Sequence, residues 1–328
     1  MKFLIVMAYL NMIAQVSIGE IVIPHIKGFK IEESVTEVSD QASITIAKNY
    51  QQLKGNPILN YIKPGYPVEI KCGYVETGGL QTEFTGFVKP GISAEWPVII
   101  DCDELFLLRQ GSVSISERQI TLRDLLHRIA PAYIIECPDC QLGKMLISKA
   151  SPFKILTEVK KRYGFYSQVH GNILHVGYAT DYSPSFTKNH MYTIGENVKD
   201  SKGLKFQTDV DFNVRVESCI IVKGKKKILS AGSKDKDARV IKVDVGQLRP
   251  TDEILKSLSD IYHQRIYEGY SGNIVGFGIP RTHAGDSIRI VNPAMPEREG
   301  NYFIEKVEIE YDVAHINRTN TLSFKLSD

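Results

Sequence analysis

Two cysteines three positions apart are the residues best spaced for metal chemistry. Cys137-Pro138-Asp139-Cys140 is the one CxxC motif in a chain with five cysteines. A structural zinc site needs four ligands, usually from a second such pair, and the sequence offers no second pair. Cys137 and Cys140 are therefore either half of a zinc site or two reduced thiols beside a tight turn, and the second interpretation is favoured.

Carboxylates and histidines could support acid–base chemistry, but no pattern brings them together. Glu32-Glu33, Asp101/Asp103/Glu104 and Glu297/Glu299 could each supply an acid/base pair. Thr282-His283-Ala284-Gly285-Asp286 places a His near an Asp, and a loop leading into the following strand explains it better. Gly276-Phe277-Gly278 lacks the third glycine of a dinucleotide fingerprint.

The common catalytic signatures are absent. The sequence contains no GxSxG nucleophile elbow, no HExxH zinc motif and no GxxxxGK[ST] phosphate loop. We therefore expect a protein that is not an enzyme and that needs no cofactor. A hydrolase with an unmarked carboxylate site stays open as an alternative.

One basic cluster is the candidate interaction site. It consists of Lys223, Lys225, Lys226, Lys227, Lys234 and Lys236. Such a patch could bind phosphate or an acidic partner surface. Solvated lysines in a loop, or lysines that block pairing at a strand edge, are the simpler interpretation.

The overall composition restricts the class of protein. The chain has 328 residues, 43% of them hydrophobic and 24% charged, with 40 Lys and Arg against 38 Asp and Glu and a net charge of +2. These values exclude a disordered, collagen-like or multi-span membrane protein, and near-neutrality argues against broad nucleic-acid binding. The length predicts about two domains, or three small ones.

The N-terminus has two interpretations. Met1-Lys2 and the apolar run at 3–10 resemble a short signal peptide with cleavage near Gly19. A secreted or surface β-rich binding protein would use that signal, and Asn317-Arg318-Thr319 could then carry a sugar. The alternative is an N-terminal strand that runs on into Ile21-Val22-Ile23, and a start at Met7 would remove most of the signal-like segment.

Strand-like runs lie on both sides of a region with helical signals. Period-2 or short apolar runs at 30–47, 68–72, 83–88 and 98–102 are separated by Gly/Pro turns. The middle predicts a helix over 121–130, a second helix that begins at Ser151-Pro152 and ends at Gly164, and a hairpin joined by Gly171-Asn172.

The last part of the chain returns to β patterning after a Ser/Pro-rich connection at 182–185. Runs at 214–222, 239–243, 287–291, 302–311 and 321–326 predict strands. One helix is predicted from Pro250 to 268, and its predicted apolar face consists of Ile254, Leu255, Leu258, Ile261, Tyr262 and Ile266. We expect a mainly β fold with an α+β insert, divided at 1–105, 106–181 and 182–328.

Three stretches resemble the tail-hub family of contractile-tailed phages, that is, the late control protein D-like and Mu-type baseplate hubs. The chain is also similar to the N-terminal part of type VI secretion spike proteins. Residues 29–50, with 64–70, 84–88 and 98–103, look like the first tail-tube-like barrel of that family. Residues 151–176 look like its helix-plus-hairpin insert, and 284–290 with 300–304 look like the end of its second barrel.

The resemblance implies a structural role without catalysis. Two tail-tube-like β-barrel domains would flank the small α+β module, and three chains would present six barrels in a ring. Such a homotrimer would join a hexameric tail tube protein to a trimeric central spike protein, with the tape measure protein as a further candidate partner. The expected location is the virion tail, after assembly in the bacterial cytoplasm, with no membrane and no sequence-specific nucleic acid as partner.

Overall fold

The computed structural model describes residues 10–23, 26–46, 52–53, 56–92, 97–163, 165–177, 188–208, 213–222, 225–243 and 251–327. Of these described residues, 54% lie in strands and 16% in helices, which confirms the mainly β part of the predicted fold class. It divides into two compact units. Unit 1 comprises Met1–Glu32, Asp40–Leu107 and Glu308–Arg318, and unit 2 comprises Glu33–Ser39, Leu108–Val307 and Thr319–Asp328. The three ranges 1–105, 106–181 and 182–328 stay predictions.

The first part of the chain consists of short strands, as predicted. They are β1 (Met12–Ile18), β2 (Ile21–Ile23), β3 (Gly28–Ser34), β4 (Gln41–Ile46), β5 (Gln52–Leu53), β6 (Asn56–Pro57), β7 (Pro67–Tyr74), β8 (Gln81–Val88) and β9 (Val98–Asp103). The predicted runs at 68–72, 83–88 and 98–102 lie within β7, β8 and β9. The run at 30–47 covers most of β3 and all of β4, but residues 35–40 form the turn between these strands, and residue 47 lies outside the described residues.

Residues 12–23 follow the strand interpretation of the N-terminus. β1 pairs antiparallel with β2. It also pairs antiparallel with β7, where Ile18 lies opposite Val68. Val16 and Ile18 of β1 are buried completely. Cleavage near Gly19 would therefore remove a strand that contributes to the core, which counts against the signal-peptide alternative. Residues 1–9 lie outside the described part of the chain.

The sheet of unit 1 curls on itself. Its strand order is β24-β23-β3-β4-β9-β8-β7-β1-β2, where β23 (Gly300–Asp312) and β24 (Ile316–Ser327) contribute their residues 308–312 and 316–318. Arg318 Nη2 on β24 donates to Glu83 Oε2 on β8 at 2.8 Å, and both side chains are buried. Because four strands separate β24 from β8, only strong curvature brings these side chains together. Closure into a barrel stays a prediction.

Residues 106–177 contain the predicted helices and hairpin. The elements are α1 (Phe106–Arg109), β10 (Val113–Thr121), α2 (Leu122–Ile129), β11 (Ile134–Glu136), β12 (Gln141–Ala150), α3 (Pro152–Tyr163), β13 (Tyr166–His170) and β14 (Ile173–Gly177). Thr121 Oγ1 caps α2 by accepting from the Asp124 N–H at 3.0 Å. The leucines at 122, 125 and 126 are buried with Ile129, which confirms the predicted face.

The second helix and its hairpin also follow the prediction. Ser151 Oγ accepts from the Lys154 N–H at 3.3 Å at the start of α3. Gly171, with φ +62°, joins β13 to β14, and Gly164 lies outside the described residues. Ile155, Leu156 and Val159 of α3 are buried. The sequence did not predict β11, which pairs parallel with β14.

The remaining elements are β15 (Asn189–Thr193), β16 (Val198–Asp200), β17 (Leu204–Gln207), β18 (Val214–Val222), β19 (Lys225–Gly232), β20 (Arg239–Lys242), α4 (Thr251–Arg265), β21 (Gly269–Gly276) and β22 (Ser287–Val291). The connection predicted at 182–185 and the helix-starting Pro250 lie outside the described residues.

The main sheet of unit 2 also curls. Its order is β15-β22-β23-β24-β21, with β16 and β17 both paired to β21, and with β23 and β24 contributing residues 300–307 and 319–327. Asn320 Nδ2 on β24 donates to the Tyr192 hydroxyl on β15 at 3.1 Å. A Cβ on Gly276 of β21 would lie 2.5 Å from Cε1 of Tyr192. Two and three strands separate these pairs in the sheet order, so curvature again brings them together.

A separate three-stranded sheet packs against α4. Its order is β19-β18-β20, with β18–β19 antiparallel and β18–β20 parallel. Ile254 and Leu258 of α4 pack on Val216, Ile220 and Leu229. Ile261 and Tyr262 join that core as predicted, whereas Leu255, which is 38% exposed, was wrongly placed on the apolar face. Of the helices in the described ranges, none combines the length and apolarity needed to cross a membrane.

Candidate functional site

Asp286 is the centre of a buried polar cluster in unit 2. It precedes β22, at the end of the loop that contains His283. Its Oδ1 accepts from the Lys188 N–H at 2.8 Å, and its Oδ2 accepts from the His283 N–H at 3.0 Å. Nε2 of His190, on β15, lies 2.9 Å from the same Oδ2. One buried carboxylate therefore orders two chain segments that are almost 100 residues apart.

Glu33 joins a third segment to this cluster. Nδ1 of His283 lies 3.0 Å from Glu33 Oε2, and the Ala284 N–H donates to the same oxygen at 3.3 Å. Glu33 is buried, so its charge needs these partners. We call Glu33, His190, His283 and Asp286 the polar clasp, since together they tie residues 33, 188–190 and 283–286.

The polar clasp has the chemistry of a structural tie. A histidine held by a carboxylate is also the arrangement of a general base. Here, however, each carboxylate accepts backbone N–H groups of the loop as well as a ring nitrogen. Those bonds fix the path of 283–286 into β22, which agrees with the loop interpretation of the His-Gly-Asp motif. The partnership between Glu33 and His283 has no sequence signal, because 250 residues separate the two.

The other carboxylate groups are engaged separately. Glu32 bonds Lys30 at 2.8 Å, which raises the pKa of that lysine. Asp103 Oδ1 accepts from the Leu105 N–H at 2.9 Å and so shapes the turn after β9. Glu299 lies 3.5 Å from Arg289. Each of these contacts serves local structure, and none of them links two members of one predicted acid/base pair.

The CxxC cysteines lie between β11 and β12, both partly buried and neither in a disulfide. Burial raises the pKa of Cys137. Among the described residues, no group of three or more His, Cys, Asp or Glu side chains is arranged to hold a metal ion. Cys102, in the core of unit 1, is more strongly affected, since burial raises its pKa to about 12.

The lysine cluster lies on β19 and on the loop that follows it. Lys226 and Lys227 are exposed on β19, opposite Ile221 and Ile220 of β18. Lys234 and Lys236 are exposed on the loop between β19 and β20. Lys225 begins β19, and Lys223 lies outside the described residues. Their role as an interaction site stays a prediction at this point.

Comparison with solved structures identifies the fold. No protein-family model matches the chain, and no curated protein matches it. The tail protein from Neisseria meningitidis MC58 is 13% identical and superposes with a TM-score of 0.63 over 96% of this chain and 96% of its own. The 43 kDa tail protein of prophage MuSo2 from Shewanella oneidensis is 15% identical, with a TM-score of 0.61 over 95% of this chain and 98% of its own.

A type VI secretion protein gives a third match. The E. coli c3393 protein, a component of that system with structural similarity to the T4 bacteriophage tail proteins gp27 and gp5, is 9% identical. Its TM-score is 0.58 over 94% of this chain and 76% of its own. The family resemblance predicted from sequence is confirmed at the level of fold: this chain has the fold shared by phage tail proteins and a type VI secretion component.

Proposed function

We propose that the protein is a structural hub of a phage tail or of a related contractile injection system. The observation that carries the proposal is a match over nearly the whole chain, since two tail proteins superpose on 95% or more of it. A match of that extent favours a shared architecture over a shared small domain. The role is structural, so it requires none of the clasp residues to react.

The two curled sheets support the arrangement expected of a hub. In each unit the strands curve enough for side chains of non-adjacent strands to meet: Arg318 with Glu83 in unit 1, and Asn320 with Tyr192 in unit 2. We propose that each sheet is a tail-tube-like barrel, with residues 106–181 as the insert between the ranges 1–105 and 182–328. Three chains would then offer six barrels to a hexameric tube.

The proposed partners are a second and third copy of the chain, the tail tube protein, the central spike protein and, as a further candidate, the tape measure protein. The proposed location is the virion tail, following assembly in the bacterial cytoplasm. Obligate assemblies of this kind bury more than about 2,000 Å² at each interface, which would make the trimer stable at low concentration.

Mass measurement tests this proposal. We expect light scattering on the purified chain to give three times its mass of 36.9 kDa at micromolar concentration. We also expect the trimer to bind preformed rings of tube protein encoded beside it. A stable monomer that forms no complex with tube protein would overturn the hub role.

A further inference from the structure

The three-stranded sheet that packs on α4 leaves its other face open within the described residues. Because side chains alternate along a strand, Val216 and Ile220 point to the helix and the odd-numbered residues of β18 point away. The strand register places residues of β19 and β20 beside them. We call this surface the outer face, and its members are Arg215, Glu217, Cys219, Lys226, Ile228, Ser230, Val240 and Lys242.

The outer face combines exposed apolar groups with cations. Ile228 is 65% exposed opposite Cys219, and Val240 is 40% exposed opposite Arg215. Lys226 lies two residues from Ile228 on the same side of β19. Ile228 and Val240 lie on the two edge strands of this sheet, with Arg215 and Glu217 of the central strand β18 between them. Exposed apolar side chains interspersed with charged ones can contact both the apolar and the charged groups of a protein partner.

Positive charge is concentrated in this part of the chain. Residues 213–243 hold nine Lys and Arg against three Asp and Glu, a net charge of +6. Because the whole chain carries +2, all its other residues together carry −4. The near-neutral total therefore conceals one strongly basic region.

Asp235 and Glu217, two of the three acidic residues of this region, bond to neighbouring groups of the same region. Asp235 Oδ1 accepts from the Asp237 N–H at 3.2 Å, and the Asp235 N–H donates to Ser233 Oγ at 3.1 Å. Arg215 pairs with Glu217 at 2.7 Å and also donates to the Asp235 carbonyl at 2.9 Å. These bonds order the loop that presents Lys234 and Lys236.

Four lysines of this region form no ion pair with a carboxylate of the described residues. Elsewhere in unit 2, cations such as Lys160, Arg162 and Arg289 lie within ion-pair distance of carboxylates. In the described ranges, Lys226, Lys227, Lys234 and Lys236 form no such pair. All four side chains are exposed, so an external anion can reach them.

We infer that the outer face, with Lys234 and Lys236 at its end, docks an acidic protein surface that carries an apolar contact for Ile228. The lysines attract the partner and make its affinity depend on salt. Ile228 provides an apolar contact, which a polyanion without apolar side chains cannot make. This inference does not depend on the hub role, since the charge and the exposed isoleucine are properties of this sheet alone.

A labelled acidic peptide tests the inference on the full-length chain. The probe is a synthetic peptide of alternating Glu and Leu, followed by fluorescence anisotropy, with an all-Glu peptide and double-stranded DNA of equal charge for comparison. We expect the Glu/Leu peptide to bind most tightly and to lose at least about tenfold in affinity between about 50 mM and about 300 mM salt.

Matched variants locate the binding surface. The triple variant Lys226→Glu, Lys234→Glu and Lys236→Glu should lose at least about tenfold in affinity for the Glu/Leu peptide. Lys144→Glu, Lys154→Glu and Lys161→Glu make the same charge change at exposed positions of the same unit and should stay within about twofold of the unchanged chain.

The apolar part has its own control. Ile228→Ser should weaken the Glu/Leu peptide about fivefold and leave the all-Glu peptide unchanged, whereas Leu146→Ser, at another exposed position, should affect neither. Three results would overturn the inference: no peptide binding at low salt, an equal loss from both triple variants, or DNA binding as tight as the Glu/Leu peptide with no effect of Ile228→Ser. The last result would indicate a phosphate-binding surface instead.

Discussion

Arg318 and Glu83 carry opposite charges in the interior of unit 1. The ion-pair distance is 2.8 Å and water reaches neither side chain. A buried pair repays its loss of hydration only while both partners remain, so removal of one leaves an uncompensated charge. Arg318 is also the middle residue of the Asn317-Arg318-Thr319 motif, for which the sequence alone suggests only glycosylation.

We predict that Glu83→Gln destabilises unit 1 by about 3–5 kcal/mol, because the buried charge of Arg318 would lose its carboxylate partner at 2.8 Å. Urea unfolding followed by circular dichroism measures the change. Glu117→Gln is the control, since Glu117 pairs with Arg128 at a similar 2.9 Å but on the surface, and it should lose less than about 1 kcal/mol. Equal effects of the two variants would contradict the prediction. The double variant Glu83→Leu with Arg318→Met should recover much of the loss.

At the scale of elements, α4 packs on the side of the three-stranded sheet that is opposite to the outer face. The apolar side of the three-stranded sheet is covered by Ile254 and Leu258, both fully buried. Leu255 lies one position further along and is exposed, because adjacent helix residues are 100° apart. The helix therefore supplies a built-in comparison between two leucines.

We predict that Leu258→Ala lowers the stability of this sheet by about 2–5 kcal/mol, owing to the lost apolar burial and the cavity that remains. Hydrogen exchange at the backbone amides of β18 reports the loss locally. Leu255→Ala should change the free energy of opening measured by the same exchange by less than about 1 kcal/mol, since the Leu255 side chain is already partly hydrated. If both variants accelerate exchange equally, α4 does not pack as described.

The elements that could be predicted from sequence are those with local causes. The capping residues Thr121 and Ser151 each accept a hydrogen bond from the N–H group three residues further along the chain. Donor and acceptor are therefore close in sequence, and the bond can be predicted from it. The parallel pairs β15–β22 and β18–β20 could not be predicted, because strand patterning gives no partner. For the same reason the lysines could be named as a cluster, while the outer face that exposes Ile228 required the register of β18 and β19.

At the scale of the whole molecule, neither unit is a continuous piece of chain. Unit 1 takes residues from both ends of the sequence, including Glu308–Arg318, and unit 2 includes Glu33–Ser39. The chain passes from one unit to the other after residues 32, 39, 107, 307 and 318. Composition and patterning along the sequence cannot show which unit a segment belongs to, because the pattern of a strand is the same in either unit.

We predict that a fragment ending at residue 107 does not fold on its own. It would lack Glu308–Arg318, and with it the buried Ile309 and Ile316 and the partner of Glu83. Circular dichroism and proteolysis of the purified fragment should show an open, protease-sensitive chain. Supplying the segment 308–318 through a glycine-rich linker should restore protection. A protease-resistant fragment without that segment would contradict the prediction.

The five crossings also have a mechanical consequence. Two domains joined by a single linker place all tension on one backbone segment, and the linker extends before either domain resists. Here a pull between the units is divided among five covalent paths, and several of these begin inside hydrogen-bonded strands such as β3, β23 and β24. Separation of the units therefore requires the chain to leave strands that it shares between them, and extension of a single linker would not be enough.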